Sequence, residues 1–155
     1  MPNMDWAALS QKSKQKFGAY GEYYAKMEFT SYGLDVFTSE VDDHGIDFVV
    51  HGPQGFHQIQ VKSIQAKTEY VCLEKAHFDN TDPHLWLCLL QFEQGCLPLL
   101  YLIPATSWQQ TTTLFRDYSY GKPGQTSKPE YGLNLSHKNL PLLEPFSFDK
   151  MIKDF

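Results

Sequence analysis

The chain reads as an α/β domain with a helix first and then a mixed sheet of about five or six strands. Three observations point there. Residues 5–31 carry aromatic and apolar side chains at helical spacing, with no proline inside the segment. Residues 46–64 hold two short apolar runs on either side of Gly52-Pro53-Gln54-Gly55, a turn sequence that joins two strands as a hairpin. Two nearly unbroken apolar runs follow, Leu85–Leu90 and Leu97–Ile103, as expected of strands covered on both faces.

In the opening helix, Phe17, Tyr20, Tyr24, Met27 and Ser31 recur at three- and four-residue steps, while Lys12, Lys14 and Lys16 mark the solvated side. Gly18 and Gly21 weaken such a helix by roughly 1 kcal/mol each relative to alanine, so they suit a close backbone approach. Gly33 stands where a helix-ending glycine belongs. Leu34–Thr38 alternates as a short strand. Residues 39–45 form a polar loop, with Asp42, Asp43 and His44 read mainly as turn residues. Thr68–Leu73 is a further strand and Asn80–Pro83 a turn. Glu93-Gln94-Gly95-Cys96 is a tight hairpin turn, and Pro104 closes the strand that follows. Ala105–Ser107 lead into a helical turn at Trp108. Residues 115–129 read as a long aromatic and partly basic loop, Tyr131–Leu135 as a late strand, and Ser147–Ile152 as a short helix with Ser147 as N-cap.

The 155 residues suit a single domain, with a core over about 15–105 and a C-terminal extension over 106–155. No stretch approaches the ~20 consecutive apolar residues of a membrane helix, and Met1–Trp6 lacks the pattern of a secretory signal. Three cysteines without Cys-x-x-Cys spacing argue for a reducing, cytoplasmic setting and against structural zinc; Cys72 and Cys88 sit in apolar runs as small buried residues would. The histidines at 51, 57, 77, 84 and 137 share no ligand spacing and are read as surface or turn residues. A net charge of −5 with 13 basic residues argues against strong unaided binding to a phosphate backbone.

The polar residues of the hairpin carry the functional signal. Alternation puts Gln58, Gln60 and Lys62 on one strand face and Ile59 and Val61 on the other. Asp47 begins the partner strand at the end away from the turn, beside Gln60 and Lys62. A carboxylate, an amide and an ammonium then meet where a packed sheet would prefer valine or isoleucine. Mg2+ or Mn2+ takes such oxygens, from Asp47, from the Gln60 side chain and from the Val61 carbonyl. Lys62 is placed to orient or deprotonate a water, or to offset charge growing on phosphate.

Asp47 followed by Gln60-Val61-Lys62 resembles the PD-(D/E)XK nuclease superfamily, in its resolvase-like and Mrr-like branches. The commonest form has Glu where this chain has Gln60, and a proline where it has Ile46. The first departure removes one negative charge and should weaken metal binding. The resemblance also rests on order: a helix with Gly21-Glu22-Tyr23-Tyr24-Ala25, the Gly33-Leu34-Asp35-Val36-Phe37 strand, the Gly45-Ile46-Asp47 strand and the Gln-x-Lys strand. It implies a restriction-endonuclease-like fold and a metal-dependent nuclease, with DNA the expected substrate. It further implies that Glu22 completes a metal shell with Asp47, Gln60 and Val61. Gln65 could reach phosphate, and Arg116, Tyr118, Tyr120 and Lys122 could stack on or pair with nucleic acid. Two-fold symmetry would suit cutting both strands of a duplex, so a homodimer fits the same reading. The alternatives are a catalytically inactive nuclease fold that serves a protein partner as a binding or scaffold module, and an acidic interaction protein that mimics nucleic acid.

Overall fold

The opening helical segment is broken at Ser13. A computed structural model of the chain describes residues 6–40, 45–119, 123–124 and 126–155, and in it α1 (Trp6–Lys12) is followed by α2 (Lys14–Ser31). Ser13 is extended and its side chain accepts from the Lys16 N–H, a serine cap that starts α2 afresh. Two of the three lysines expected on one solvated side thus belong to α2 and one to α1. The buried seam of α2 is Phe17, Gly21, Ala25 and Phe29; of the predicted stripe, Phe17 belongs to it and Tyr20 and Tyr24 pack partly buried beside it, while Met27 is 60% exposed. Small residues at four-residue spacing let the helix sit directly on the sheet. A Cβ on Gly21 would overlap the Ser63 hydroxyl and lie 3.0 Å from Ser63 Cβ. Gly33, at a φ of 81°, ends the helix as expected.

Eight strands follow: β1 (Asp35–Phe37), β2 (Phe48–Gly52), β3 (Gly55–Gln65), β4 (Tyr70–Glu74), β5 (Leu85–Phe92), β6 (Leu99–Pro104), β7 (Phe115–Tyr118) and β8 (Glu130–Asn134), and a short helix α3 (Phe148–Met151) comes near the end. The main sheet has five strands in the order β1-β2-β3-β5-β6. Within it β3–β5 is parallel, and β1–β2, β2–β3 and β5–β6 are antiparallel. The hairpin turn is shorter than expected, because Gly52 pairs with Gly55 and leaves Pro53 and Gln54 as a two-residue loop.

Strand β5 has Trp86, Cys88, Leu90 and Phe92 on one face, packed with α2, and Leu85, Leu87 and Leu89 on the other. Each fully buried leucine contributes roughly 1.5–3 kcal/mol of burial. The second face is covered by a three-stranded sheet, β4-β8-β7. Residues 115–118, expected in a loop, are the strand β7, paired with β8 from Phe115↔Leu133 to Tyr118↔Glu130. Four residues with two charges among them carry little strand signal alone; the pairing partner a dozen residues on supplies it. The C-terminal residues close the first core, where the Phe155 ring meets Phe29, His57 and Trp86 at 5.4, 4.2 and 4.7 Å.

Three smaller expectations are corrected. His57 is 5% exposed, held by the Trp86 Nε1–H donated to its Nδ1 at 3.2 Å. Cys72 is exposed while Cys88 is buried, because β4 turns Val71 and Leu73 inward and Cys72 outward. Ser147 stands at the N-terminus of α3 without a side-chain cap bond. Among the described residues no helix is long and apolar enough to cross a membrane.

Candidate active site

Strands β2 and β3 are unequal, and the difference makes a gap. The antiparallel ladder ends at Phe48↔Ile59, whereas β3 runs on to Gln65 paired only with β5. Beyond Ile59 no strand among the described residues pairs with the edge of β3 that faced β2. Asp47 sits at the mouth of this gap. Its N–H donates to the Ile59 carbonyl at 2.9 Å, and its Oδ2 accepts the Val61 N–H at 2.6 Å. In a strand the N–H and C=O of one residue point to the same edge, so the Val61 carbonyl faces the gap too. The charge of Asp47 reaches the buried Cys88 thiol, which burial first, then Asp47 and Glu28, push well above its usual range.

Gln60 and Lys62 lie on the face shared with Leu87 and Leu89, their β5 partners. Gln60 is 8% exposed, and its Oε1 is buried without a hydrogen-bond partner. A buried orphan acceptor costs about 1–3 kcal/mol, so it marks a place where another group belongs. Lys62 points toward β4: its positive charge pulls down the Cys72 thiol, which partial burial and then Glu130 push up to about 11. The chain entering the gap is walled by the single helical turn Lys75–His77, since a Cβ on Gly45 would lie 2.8 Å from His77 Cβ. His77 carried no signal in sequence that tied it to Asp47; only folding brings it near.

Glu22 approaches from the α2 face. One flank of α2, Tyr20 and Tyr24, packs on Phe92 of β5. The opposite flank is the row Gly18, Glu22, Lys26, and the Lys26 ammonium stands over the ring of Phe48, the first residue of β2, at 5.6 Å. Glu22 therefore stands on the side of α2 that overhangs the start of β2. The structure thus places Asp47 and Val61 in contact, Gln60 and Lys62 on one face beside them, and Glu22 on the helix flank above the opposite face. Among the described residues no three of His, Cys, Asp and Glu cluster as a metal site; the oxygens that bonding and strand geometry place at the gap are the Asp47 carboxylate and the Val61 carbonyl.

The described residues expected at nucleic acid bond to neighbours within the fold. Gln65 donates to the Ser10 hydroxyl of α1. Arg116 donates to the Tyr118 hydroxyl at 3.4 Å and to the Thr112 carbonyl at 3.3 Å, and Tyr118 meets Tyr70 at 6.3 Å. Tyr120 and Lys122 lie outside the described residues, as do Asp42, Asp43 and His44.

No protein-family model and no curated protein matches the chain. Among the solved structures that match its shape are two nucleases. One is Hjc, a Holliday junction resolvase from the archaeal hyperthermophile Archaeoglobus fulgidus, with a TM-score of 0.56 and 13% identity over 89% of this chain and 97% of that one. The other is a bacterial homing endonuclease, with a TM-score of 0.53 and 16% identity over 92% of this chain and 94% of that one. The chain has the restriction-endonuclease-like fold that these two nucleases share, with the N-terminal helices first and a five-stranded mixed sheet beneath them.

Proposed function

We propose that the protein is a divalent-cation-dependent nuclease that hydrolyses a phosphodiester bond at the gap beside Asp47. The observation that carries this reading is a pair of neighbouring residues on β3: Val61, whose N–H is held by the Asp47 carboxylate, and Gln60, whose buried Oε1 has no hydrogen-bond partner. An anionic oxygen and an orphan neutral one suit a hard cation with oxygen ligands. Asp47, Gln60, the Val61 carbonyl and Glu22 would hold Mg2+ or Mn2+ there. Such a cation, when bound, lowers the pKa of a coordinated water and neutralises the scissile phosphate.

The chain's own groups do the rest. The Val61 N–H fixes one carboxylate oxygen of Asp47. Lys62, a mobile ammonium on a four-carbon stem, orients the attacking water and balances charge on the phosphoryl oxygens. DNA is the substrate class that the descriptions of the two structural neighbours favour. The test is cleavage of supercoiled plasmid and of a four-way junction with Mg2+, with Mn2+ and with EDTA. Wild type should cut only with metal, and Asp47→Asn and Lys62→Ala should each lose cutting by at least about a hundredfold, the scale of losing a positioned charge. Cleavage by either variant at the wild-type rate would remove that residue from the site.

A second reading is a catalytically silent nuclease fold that serves a protein partner. The amide at Gln60 in place of a carboxylate and the net charge of −5 favour it. It predicts a folded chain that takes up no Mn2+ at Asp47.

A further inference from the structure

Two residues beyond Val61 on β3, Ser63 borders a groove of about 440 Å³ between the α1–α2 junction and the end of β3, lined by Ser10, Lys14, Gly18, Gln65 and Lys67 among others. Gly18 is one helical turn from Glu22, so the groove and the candidate site share one flank of α2. Two features set this corner apart from an acidic protein. Residues 6–21 hold three lysines and no acidic residue, and Lys67 joins them across the groove. Lys14 and Lys67, which line it, enter none of the ion pairs found among the described residues.

Two ammonium groups without ion pairs among the described residues and the open space at Gly18 make a surface for an anion carried on an extended backbone. Positive charge concentrated here also answers how a chain of net charge −5 would hold a polyanion: it would do so at one corner. We infer that this groove binds the sugar-phosphate backbone of the nucleic-acid strand that enters the gap, with Lys14 and Lys67 pairing to a phosphate next to the scissile one. The inference rests on the nuclease reading for the direction of the strand, but the binding itself needs no metal.

The experiment measures binding of a short labelled single strand and of the matching duplex by anisotropy in EDTA, between about 50 and 200 mM salt. Wild type is compared with Lys14→Ala/Lys67→Ala and with Lys138→Ala, a change at an exposed lysine outside the groove, and metal-dependent cleavage is followed in parallel. The expected result is an affinity about tenfold lower for the double variant. Its log–log salt slope should be shallower by about 0.7 on single strand or about 0.9 on duplex, with Lys138→Ala unchanged. Equal affinity and slope for wild type and the double variant would overturn the groove, as would a wild type that binds neither probe. Unchanged binding in a protein that still cuts sinks the groove and spares the nuclease. Lost binding in the double variant of a protein that never cuts with metal does the reverse.

Discussion

Val61 donates its N–H to Asp47 Oδ2 across 2.6 Å at the point where β2 stops and β3 continues. The bond does two jobs, since it closes a strand edge that would otherwise be orphaned and it fixes the carboxylate in the gap. The two jobs separate by substitution. Asp47→Asn keeps an acceptor for Val61 and should melt within a few degrees of wild type while losing cleavage. Asp47→Ala removes the acceptor, and a hydrogen bond to a charged group is worth about 1.5–3 kcal/mol. Thermal unfolding of both variants checks the difference; equal melting temperatures would show that the bond does not support the edge.

Gln60 leaves a buried oxygen unsatisfied. Gln60→Glu should place a second negative charge beside Asp47. Without metal that variant should be destabilised, because like charges in a desolvated site repel. With Mn2+ it should bind the ion about tenfold more tightly and regain the lost stability through binding to the folded state. Calorimetric titration and melting with and without Mn2+ measure both effects. A variant whose melting temperature ignores Mn2+ would place residue 60 outside any metal shell.

Gly21 and Ser63 are the closest approach of α2 to the sheet. Gly21→Ala should destabilise the fold by roughly 1–3 kcal/mol through overpacking. Ser63→Ala removes the overlapping hydroxyl, so the double variant should recover part of that loss. A double-mutant cycle by urea unfolding should give a coupling of about 0.5–3 kcal/mol, whereas additive effects would mean the helix is free to lift away.

His57 is buried between Trp86 and Phe155, and burial first, then His84, lower its pKa. A lowered folded value means that the unfolded chain takes up the proton first as pH falls. The stability from neutral His57 is therefore whole above pH of about 6.5 and is lost as pH drops toward the folded value. Urea midpoints should fall more between pH 7.5 and 5.5 for wild type than for His57→Gln. Parallel losses would contradict the burial of the neutral ring.

Much of the candidate site was legible in the chain because hairpin alternation is local. Asp47, Gln60 and Lys62 can be placed on neighbouring strands from the Gly-Pro-Gln-Gly turn alone. The order of helix and strands also anticipated the five-stranded sheet, and β5 announced itself as an unbroken apolar run. What escaped depends on distant partners. The seam of Gly21 and Ala25 looks weak beside the tyrosines of α2 until Ser63 is seen beneath it. β7 has no strand pattern without β8, and the burial of His57 needs Phe155 from the far end of the chain. The free edge of β3 was hidden for the same reason, since it follows from a difference in strand length that only the register reveals.

The claim on which the account stands is that the gap beside Asp47 holds a divalent cation. Anomalous diffraction from crystals soaked in Mn2+ tests it directly. The account predicts one strong peak bonded to the Asp47 carboxylate, with the Gln60 Oε1 and the Val61 carbonyl as further ligands, absent in Asp47→Asn. A gap without a peak at saturating Mn2+, or a peak that persists unchanged in Asp47→Asn, would contradict it.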